Sequence, residues 1–451
     1  MEETVDLCKL LSIEDKPDYT TLPPSESCVL FMLDIIKISE NDCLKYLSGI
    51  TEEDIEENKS IYKDLIFWSL KKGYIKILEK LHTIKPDLLK EKDNAGRTPA
   101  LYAVQRGHKE MLDSLCRLNP DLLNAKTNSG STSAHIAAQY GYTQILKKLH
   151  SLYPNLLNEK NDKGNTPALI AAEYGHTETL KSLHDLKPDL LKVRDSDFNT
   201  LAHVAAMFGR TETVEALFKL DEKMFDERSK ADDTPAHVAV RHRRTETVVA
   251  LYLLKRQLLY VENEGGWFPG HLVGNPRPVR GFIEALHEFD PDLLSVVNKK
   301  NGCTAAHVAA YHKNRSAFST LCALNPKLLT MKNNEGLSLV HYAGANGNRE
   351  LIVKLLENNP GLLNQTDTNG KTLVHYAAEN GNFRIIDALL EHNADLLNQK
   401  DDNGQTVAHL AAANGEWVIF DTLLRRKPDL LNIKDGNAQT PVHHAAANGT
   451  P

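Results

Sequence analysis

Histidine and cysteine are the residue types in this sequence that recur at spacings suited to metal binding or catalysis. Imidazole and thiolate are preferred ligands of zinc, and histidine is the most frequent general base in enzymes. The chain has 19 histidines and 6 cysteines among its 451 residues. One series stands three residues after a position that is usually Thr: His135, His203, His237, His271, His307, His341, His375, His409 and His443. A second series stands four residues before a position that is usually Pro: His82, Cys116, His150, His184, His287 and Cys322.

The motifs that would organise such residues into an active site are absent from the sequence. It contains no GxxxxGK[ST] phosphate-binding loop, no HExxH zinc motif and no GxSxG nucleophile motif. The cysteines form no CxxC pair, which excludes a zinc finger or a disulfide scaffold and favours reduced thiols in the cytosol or nucleus. We therefore expect no enzymatic activity, no cofactor and no metal.

Charge and hydropathy exclude two further classes of protein. The formal net charge is -7, from 53 Lys+Arg and 60 Asp+Glu spread along the chain, so nucleic acid is not the expected partner. The N-terminus, MEETVDLCKLL, begins with acidic residues, unlike a secretory signal. The most apolar stretch, residues 29 to 38, is about half a bilayer span and is interrupted by Asp34 and Lys37. We expect a cytoplasmic protein without membrane insertion.

A period of 34 residues runs through most of the chain. Each step from one repeat to the next is 34 residues, except one of 36, and the starting position is held by Gly96, Gly130, Gly164, Phe198, Asp232, Gly266, Gly302, Gly336, Gly370, Gly404 and Ala438. Two residues later stands a Thr such as Thr98, which is suited to cap the start of a helix. A glycine such as Gly107 is suited to a left-handed helix end, and a second stretch has the apolar spacing of an amphipathic helix.

This unit resembles the ankyrin repeat. The resemblance covers residues 59 to 451 and depends on a TPLH-like box (TPAHVAV, TVAHLAA), a following AAxxG and the second amphipathic stretch. It implies an all-α solenoid in which each repeat is a β-turn followed by two antiparallel helices. The chain departs from the family pattern after the second helix, where it has PDLL, as at 86 to 89, instead of Gly-Ala-Asp. Proline stops the helix, and the Leu pair is expected to pack under the hairpin.

The repeat register predicts the domain organisation. Residues 1 to 58 form a small helical N-terminal segment, 59 to 92 a degenerate capping repeat and 93 to 260 repeats one to five. Residues 261 to 300 form an irregular repeat six, since Pro276 and Pro278 stand where its first helix would continue. Residues 301 to 451 form repeats seven to eleven, of which the last is incomplete.

The N-terminal segment has two interpretations. It either covers the first repeat as a helical cap, or it resembles an F-box, which docks an adaptor of a ubiquitin ligase. In the second case Leu22 and Pro23 lie at the docking edge. The basic and aromatic ending that is usual in an F-box is missing.

Both histidine and cysteine series have a structural interpretation. The first series matches the TPLH histidine, which in the family hydrogen-bonds the turn backbone and links neighbouring repeats. Members of the second series in adjacent repeats are about 8 to 10 Å apart, so three consecutive members cannot converge on one ion with bonds near 2 Å. We interpret the second series as residues of moderate polarity between second helices.

The resemblance also indicates where a partner would bind. In this family partners contact the hairpin tips and the exposed end of the first helix, where the residue before the terminal Gly is usually Asn. Repeats two to four carry aromatic residues there, and repeats eight to eleven carry Asn. Rings in a row supply contact area at low entropic cost; the alternative is that they tuck against the next repeat. The predicted partner-binding residues are Arg106, Gln139, Tyr140, Glu173, Tyr174, Met207, Phe208, Arg241 and His242.

Together these patterns predict a monomeric, non-catalytic scaffold or adaptor that binds another protein or peptide. The alternative function is an F-box-type substrate adaptor of a ubiquitin ligase. An array with one unusual N-terminal segment is also similar to effectors that intracellular bacteria inject into host cells, which would place it in the host cytoplasm. An enzyme domain beyond Pro451 is a third hypothesis, which this sequence does not test.

Overall fold

The computed structural model describes residues 39–274 and 281–448. These residues form an all-α repeat fold, which confirms the predicted fold class. No β-strand occurs in these two ranges, and one isolated bridge pairs Lys332 with Ser338. No helix in them is long and apolar enough to cross a membrane. Leu22 and Pro23, the predicted docking residues, lie outside the described residues.

Four helices precede the first complete repeat, and pairs of helices follow. The N-terminal helices are α1 (Glu40–Leu47), α2 (Glu52–Glu57), α3 (Lys59–Lys72) and α4 (Ile75–Ile84). A first helix of seven or eight residues and a second helix of ten then alternate: α5 (Pro99–Arg106), α6 (Lys109–Leu118), α7 (Ser133–Gln139), α8 (Thr143–Leu152), α9 (Pro167–Tyr174), α10 (Thr177–Leu186), α11 (Leu201–Phe208), α12 (Thr211–Leu220), α13 (Pro235–Arg241) and α14 (Thr245–Leu254).

The sixth repeat departs from this alternation. A short 3-10 helix, Pro269–Gly274, stands where the other repeats have an α-helical first helix, and α15 (Phe282–Phe289) is its second helix. The regular pattern then resumes in α16 (Ala305–Tyr311), α17 (Arg315–Leu324), α18 (Leu339–Asn346), α19 (Arg349–Asn358), α20 (Leu373–Glu379), α21 (Phe383–His392), α22 (Val407–Ala413), α23 (Trp417–Arg426) and α24 (Pro441–Ala447).

The ends of the first helices follow from residue type. The Thr98 hydroxyl accepts a hydrogen bond from the backbone N–H of Leu101, and Pro99 occupies the first helical position. Gly107 ends the helix with φ of +69°, a conformation that is costly for residues with a Cβ. The sequence therefore sets both ends of these short helices locally.

The PDLL segments form a structure that the sequence did not predict. After α4, Pro86–Lys90 is a single turn of 3-10 helix, and both of its leucines, Leu88 and Leu89, are fully buried. Lys85, the residue before the proline, is extended with φ of -143° and ψ of 94°, as the proline ring requires. The leucine pair packs inward as expected, on a helical turn in place of an extended connection.

The chain divides into two compact units, and the division falls between Met224 and Phe225. In the first unit, the largest buried side chains belong to α3, where Tyr62 and Trp68 are almost completely enclosed. In the second unit, one apolar cluster extends from Val340 to Leu431 and includes residues of every helix from α18 to α23. Each unit therefore builds its core from the same repeated apolar positions.

Most histidines of the first series link successive repeats through the backbone. His135 is 1% exposed, and its Nδ1 atom accepts a hydrogen bond from the N–H of Thr132 at 3.2 Å. Its Nε2 atom lies 2.9 Å from the carbonyl oxygen of Asn165, thirty residues later. The same pair of contacts is made by His271, His307, His341, His375 and His409.

These two contacts define the state of each ring. Nδ1 must be unprotonated because it accepts from a backbone N–H, and Nε2 must carry the proton because it donates to a carbonyl oxygen. A doubly protonated ring cannot make both bonds. Burial, the largest cause, also lowers the pKa of His271 and of His307 to about 4. The histidines that make both contacts are thus structural links that need a neutral imidazole.

This requirement predicts that acid begins to weaken the fold above the range in which carboxylates titrate. An ordinary histidine titrates near 6.5, so the unfolded chain takes up protons before the folded chain does. The stability that His307 contributes is complete above about pH 6.5 and is lost as the pH falls toward about 4, the pKa in the folded state. The urea midpoint, measured by circular dichroism, should therefore fall across this interval.

The variant His307→Gln should lower the urea midpoint at neutral pH, and this midpoint should depend less on pH than that of the parent chain. His392→Gln is the matched control in the same unit, because His392 is exposed at the end of α21. Low-pKa carboxylates such as Asp435, with a pKa of about 2, lose their contribution below about pH 5, and both variants keep them, so the difference between the variants reports the histidine. A midpoint that stays constant from about pH 7 to about pH 4.5 would contradict the neutral-histidine requirement.

Candidate functional site

The second histidine and cysteine series shows no arrangement suited to chemistry. No group of three or more His, Cys, Asp or Glu residues in the described ranges is placed to hold a metal ion. Cys116 and Cys322 are free thiols, and burial raises the pKa of both, that of Cys322 to about 12. A protonated thiol is a poor metal ligand and a poor nucleophile.

The aromatic residues predicted to bind a partner share one position in three successive repeats of the first unit. Tyr140 directly follows α7, and Tyr174 and Phe208 are the last residues of α9 and α11. Their exposed fractions are 41%, 43% and 39%. Each ring is thus partly packed and partly open to solvent.

A hydrogen-bonded ladder connects the two tyrosines to the repeats before them. The side-chain amide of Gln105 donates to the Tyr140 hydroxyl at 3.0 Å. One repeat later, the amide of Gln139 donates to the Tyr174 hydroxyl at 3.1 Å. Gln139 was predicted as a partner-binding residue, and Gln105 was missed. Both hydroxyl groups are therefore oriented before any partner arrives.

The faces of the two tyrosines rest on rings of their own repeats. Tyr140 stacks on Tyr142 with centroids 5.7 Å apart and planes 14° apart. Tyr174 stacks on His176 with centroids 6.4 Å apart and planes 4° apart. Each tyrosine is held by a ring behind it and by an amide at its hydroxyl, so binding would cost it little side-chain entropy.

The two supporting rings and Arg210 also donate hydrogen bonds to carbonyl groups near the end of the first helix in the preceding repeat. The Nε2 atom of His176 lies 2.8 Å from the carbonyl oxygen of Gln139, and Nε of Arg210 donates to the carbonyl of Glu173 at 2.8 Å. Tyr142 makes the corresponding contact to Gln105 at 3.5 Å. These donors satisfy carbonyl groups that a helix end leaves unpaired. The sequence signal for them is a donor in the residue directly after the glycine that ends each first helix.

The two arginines of the predicted site, Arg106 and Arg241, are less available to a partner than the sequence indicated. The Arg106 guanidinium lies over the Tyr102 ring, 5.4 Å from its centroid, and donates to the Tyr102 hydroxyl at 3.2 Å. In the second unit, Arg241 is bound through Nε and Nη2 to the buried carboxylate of Asp233, at 3.0 and 2.5 Å. Neither residue is an unengaged basic side chain.

The remaining predicted residues flank the aromatic positions. Glu173 and Met207 are half-buried, and each directly precedes an aromatic residue of the row. His242 directly follows α13 in the second unit, where partial burial, then Arg244 and Arg241, lower its pKa. Among the predicted residues the structure therefore shows a direct contact between Gln139 and Tyr174, while Arg241 and His242 belong to the other unit.

Comparison with models of known protein families matches this chain to ankyrin repeats (three copies). The matches cover residues 65–156, 134–226, 169–263 and 340–435, which together are more than half of the chain. Comparison with curated proteins finds no match.

Because the His176 ring lies behind Tyr174, two glycines with left-handed backbone, Gly141 and Gly73, should respond differently to replacement by alanine. Gly141 has φ of +71°, and a Cβ there would lie 2.6 Å from the His176 ring. Gly73 has φ of +81°, and a Cβ there would meet no described atom within 4 Å. Gly73→Ala should cost about 1 kcal/mol of stability for the left-handed backbone alone, and Gly141→Ala at least about 1 kcal/mol more, measured by urea unfolding. Equal losses would show that His176 yields to the new methyl group.

Proposed function

Because the chain belongs to the ankyrin repeat family, we propose that it is a non-catalytic scaffold or adaptor that binds a partner protein. The proposed contact surface is the aromatic row, defined as Tyr140, Tyr174 and Phe208 with the flanking Gln139 and Glu173. Ankyrin repeats support a role in protein–protein interaction, and the choice of this surface is our own inference.

The observation that carries the proposal is the half-exposed state of all three rings. Each leaves about two fifths of its surface open, and the row falls at one position of three consecutive first helices. An exposed apolar patch with polar residues at its edge marks protein-interaction sites more often than singly exposed rings do. Because the Gln105 and Gln139 amides fix the tyrosine hydroxyl groups, the row is preorganised for a partner.

The chemistry of the row favours an extended peptide or a helix with apolar side chains. The rings offer apolar faces for such side chains. Polar groups lie beside them, with the Glu173 carboxylate next to Tyr174 in the chain and Arg106 exposed at the end of α5. Apolar anchors surrounded by polar groups are the usual composition of a binding hot spot.

The described part of the N-terminal segment supports the interpretation as a cap. Helix α1 packs against α4, and Cys43, Leu47 and Ile55 are buried. The Glu40 carboxylate accepts a hydrogen bond from the N–H of Lys76 at 3.0 Å, in the first turn of α4. This contact satisfies a free donor at a helix start. Residues 39 to 58 thus cover the first helices of the array.

The compartment and assembly state are also proposals. We place the protein in the cytoplasm, that of the host cell if it is a translocated effector, and propose that it acts as a monomer. Cys43 and Cys303 are buried free thiols, which is consistent with a reducing compartment.

The two interpretations of the N-terminal segment predict different results from truncation. A chain that begins at residue 59 loses Cys43, Leu47 and Ile55 and should melt several degrees lower than a chain that begins at residue 39, because apolar surface on α3 and α4 becomes exposed. An F-box-like segment instead requires Leu22 and Pro23. In that case the double alanine variant loses capture of a Skp-type adaptor at an unchanged melting temperature. Capture by the parent chain would favour the ligase interpretation.

The aromatic row predicts which variant loses the partner. Truncating central aromatic hot spots typically costs about 2 kcal/mol or more, about thirtyfold in affinity. The triple variant Tyr140→Ala, Tyr174→Ala, Phe208→Ala should therefore lose a partner that the full chain captures. Its helical circular dichroism should be retained, since these rings lie outside the buried core. Affinity would be measured by titration with the identified partner.

Two asparagines at the same position of later repeats provide the control. Asn380 and Asn414 bond only back to carbonyls of their own helices, those of Tyr376 and Leu410, among the contacts of the described chain. Asn346 is unsuitable because its amide donates to Ala310 of the preceding repeat. The double alanine variant should bind normally. Loss of binding in this control, with binding retained in the triple variant, would place the site in the second unit.

A further inference from the structure

A cavity in the second unit has a lining that differs from the aromatic row. Its volume is about 490 Å³, and its walls come from hairpins and first helices between residues 241 and 342. Three aromatic rings line it, those of Trp267, Tyr311 and Tyr342, together with the carboxylate of Glu335. Tyr311 is 70% exposed, the largest exposed fraction among the aromatic residues described. The cavity lies in the repeats on either side of the short 3-10 helix Pro269–Gly274.

Tyr342 has two counterparts in the chain, and both are covered by a cation. Tyr102 and Tyr376 occupy the same position in other repeats. Arg97 lies over the Tyr102 ring, 5.3 Å from its centroid, and Lys371 lies over the Tyr376 ring at 6.0 Å. In both cases the cation comes from the residue five positions before the tyrosine. Attraction between a cation and an aromatic face is favourable at these distances.

Both resident cations are also paired with a carboxylate. The Arg97 guanidinium lies 2.6 Å from Asp93, and the Lys371 ammonium forms an ion pair with Glu379. The recurrent arrangement is therefore a tyrosine face, a cation and a carboxylate. In the repeat of Tyr342, the residue five positions earlier is Leu337. The ring and a carboxylate, Glu335, are present there without a cation from that position.

Among the described residues that line the cavity, Glu335 is the carboxylate that no lining cation pairs with. Arg241, the one lysine or arginine in the described wall, is bound to the buried Asp233 carboxylate. His271 and His307 also line the cavity, and burial lowers the pKa of each to about 4, so both are neutral at pH 7. His312, Asn263, Asn301, Asn333 and Cys303 complete its polar lining. A cation that enters therefore meets a carboxylate and three rings.

We propose that this cavity binds the side chain of a lysine or arginine on a basic segment of a partner protein. The ammonium or guanidinium group lies against the rings of Trp267, Tyr311 and Tyr342, and Glu335 supplies the counter-charge. The incoming side chain takes the place that Arg97 and Lys371 fill in their own repeats. This inference goes beyond the aromatic row, because the cavity lies in the other unit and its test does not use the partner of that row.

The test uses three short peptides and the indole signals of the protein. Ac-Gly-Lys-Gly-NH2, Ac-Gly-Arg-Gly-NH2 and the norleucine analogue of the lysine peptide are titrated into the full chain at about pH 8, where ordinary imidazole is neutral. The chain has three tryptophans, so the nitrogen-15 correlation spectrum has three indole signals, assigned with Trp267→Phe. The two cationic peptides should shift the Trp267 signal to saturation. The norleucine peptide should not, and the Trp417 signal should remain unmoved.

Three variants test the individual groups. Glu335→Gln removes the counter-charge and Tyr311→Ala removes the most exposed ring, so each should weaken the lysine peptide about fivefold or more. Leu337→Lys should abolish binding by filling the cavity from within, as Lys371 covers Tyr376. The Leu337 carbonyl bond to His307 is a backbone contact and persists in this variant. Circular dichroism of each variant confirms that it is folded.

Two results would overturn the proposal. Equal binding of the norleucine peptide would show an apolar pocket that does not select charge. No saturable shift of the Trp267 signal with either cationic peptide would show that the cavity takes no cation. A negative peptide titration would not bear on the aromatic row. The triple alanine variant tests that row with a different ligand in the other unit.

Discussion

The fold depends on a neutral imidazole held between two backbone groups of successive repeats. In each linking histidine, Nδ1 accepts a hydrogen bond from the backbone N–H of the capping residue, and Nε2 donates to a carbonyl oxygen about thirty residues later. His307 makes these two contacts with Thr304 and Leu337. One ring thus joins the cap of one repeat to the hairpin of the next. Removing either contact leaves a buried backbone group without a partner, which costs more than the bond itself contributes. Other residue types at neighbouring positions can vary because this link fixes the spacing.

The sequence differences that shape the two proposed sites lie in side chains, which the link does not use. The position at the end of the first helix carries Tyr140 and Tyr174 in one unit and Asn380 and Asn414 in the other. The position before the capping residue carries Arg97 and Lys371 where a ring is covered, and Leu337 where it is not. None of these substitutions changes the backbone of its repeat. Different surfaces are therefore built on the same sequence of buried contacts.

The sequence predicted the fold well because its signals are local and repeated. The capping Thr, the proline after it and the left-handed Gly107 act within a few residues of one another, and the period exposes their recurrence. The linking role of the histidines followed from the family resemblance. The 3-10 turn of PDLL was missed because proline predicts only where a helix stops. It leaves open whether the chain continues as a turn or as an extended segment.

The candidate sites were less predictable, because they depend on pairs of residues in different repeats or elements. Nothing about Gln105 alone indicates that its amide reaches the Tyr140 hydroxyl, 35 residues later. Arg241 and Asp233 are eight residues apart, and only the fold shows that the carboxylate is buried beneath the guanidinium. The same holds for the cavity, whose rings, Trp267 and Tyr311, belong to different repeats beside a shortened helix. Repetition makes such pairs recognisable once one is known, since the separation that brings Arg97 over Tyr102 also brings Lys371 over Tyr376. A repeat that keeps the tyrosine and lacks the cation is then distinguishable from the sequence alone.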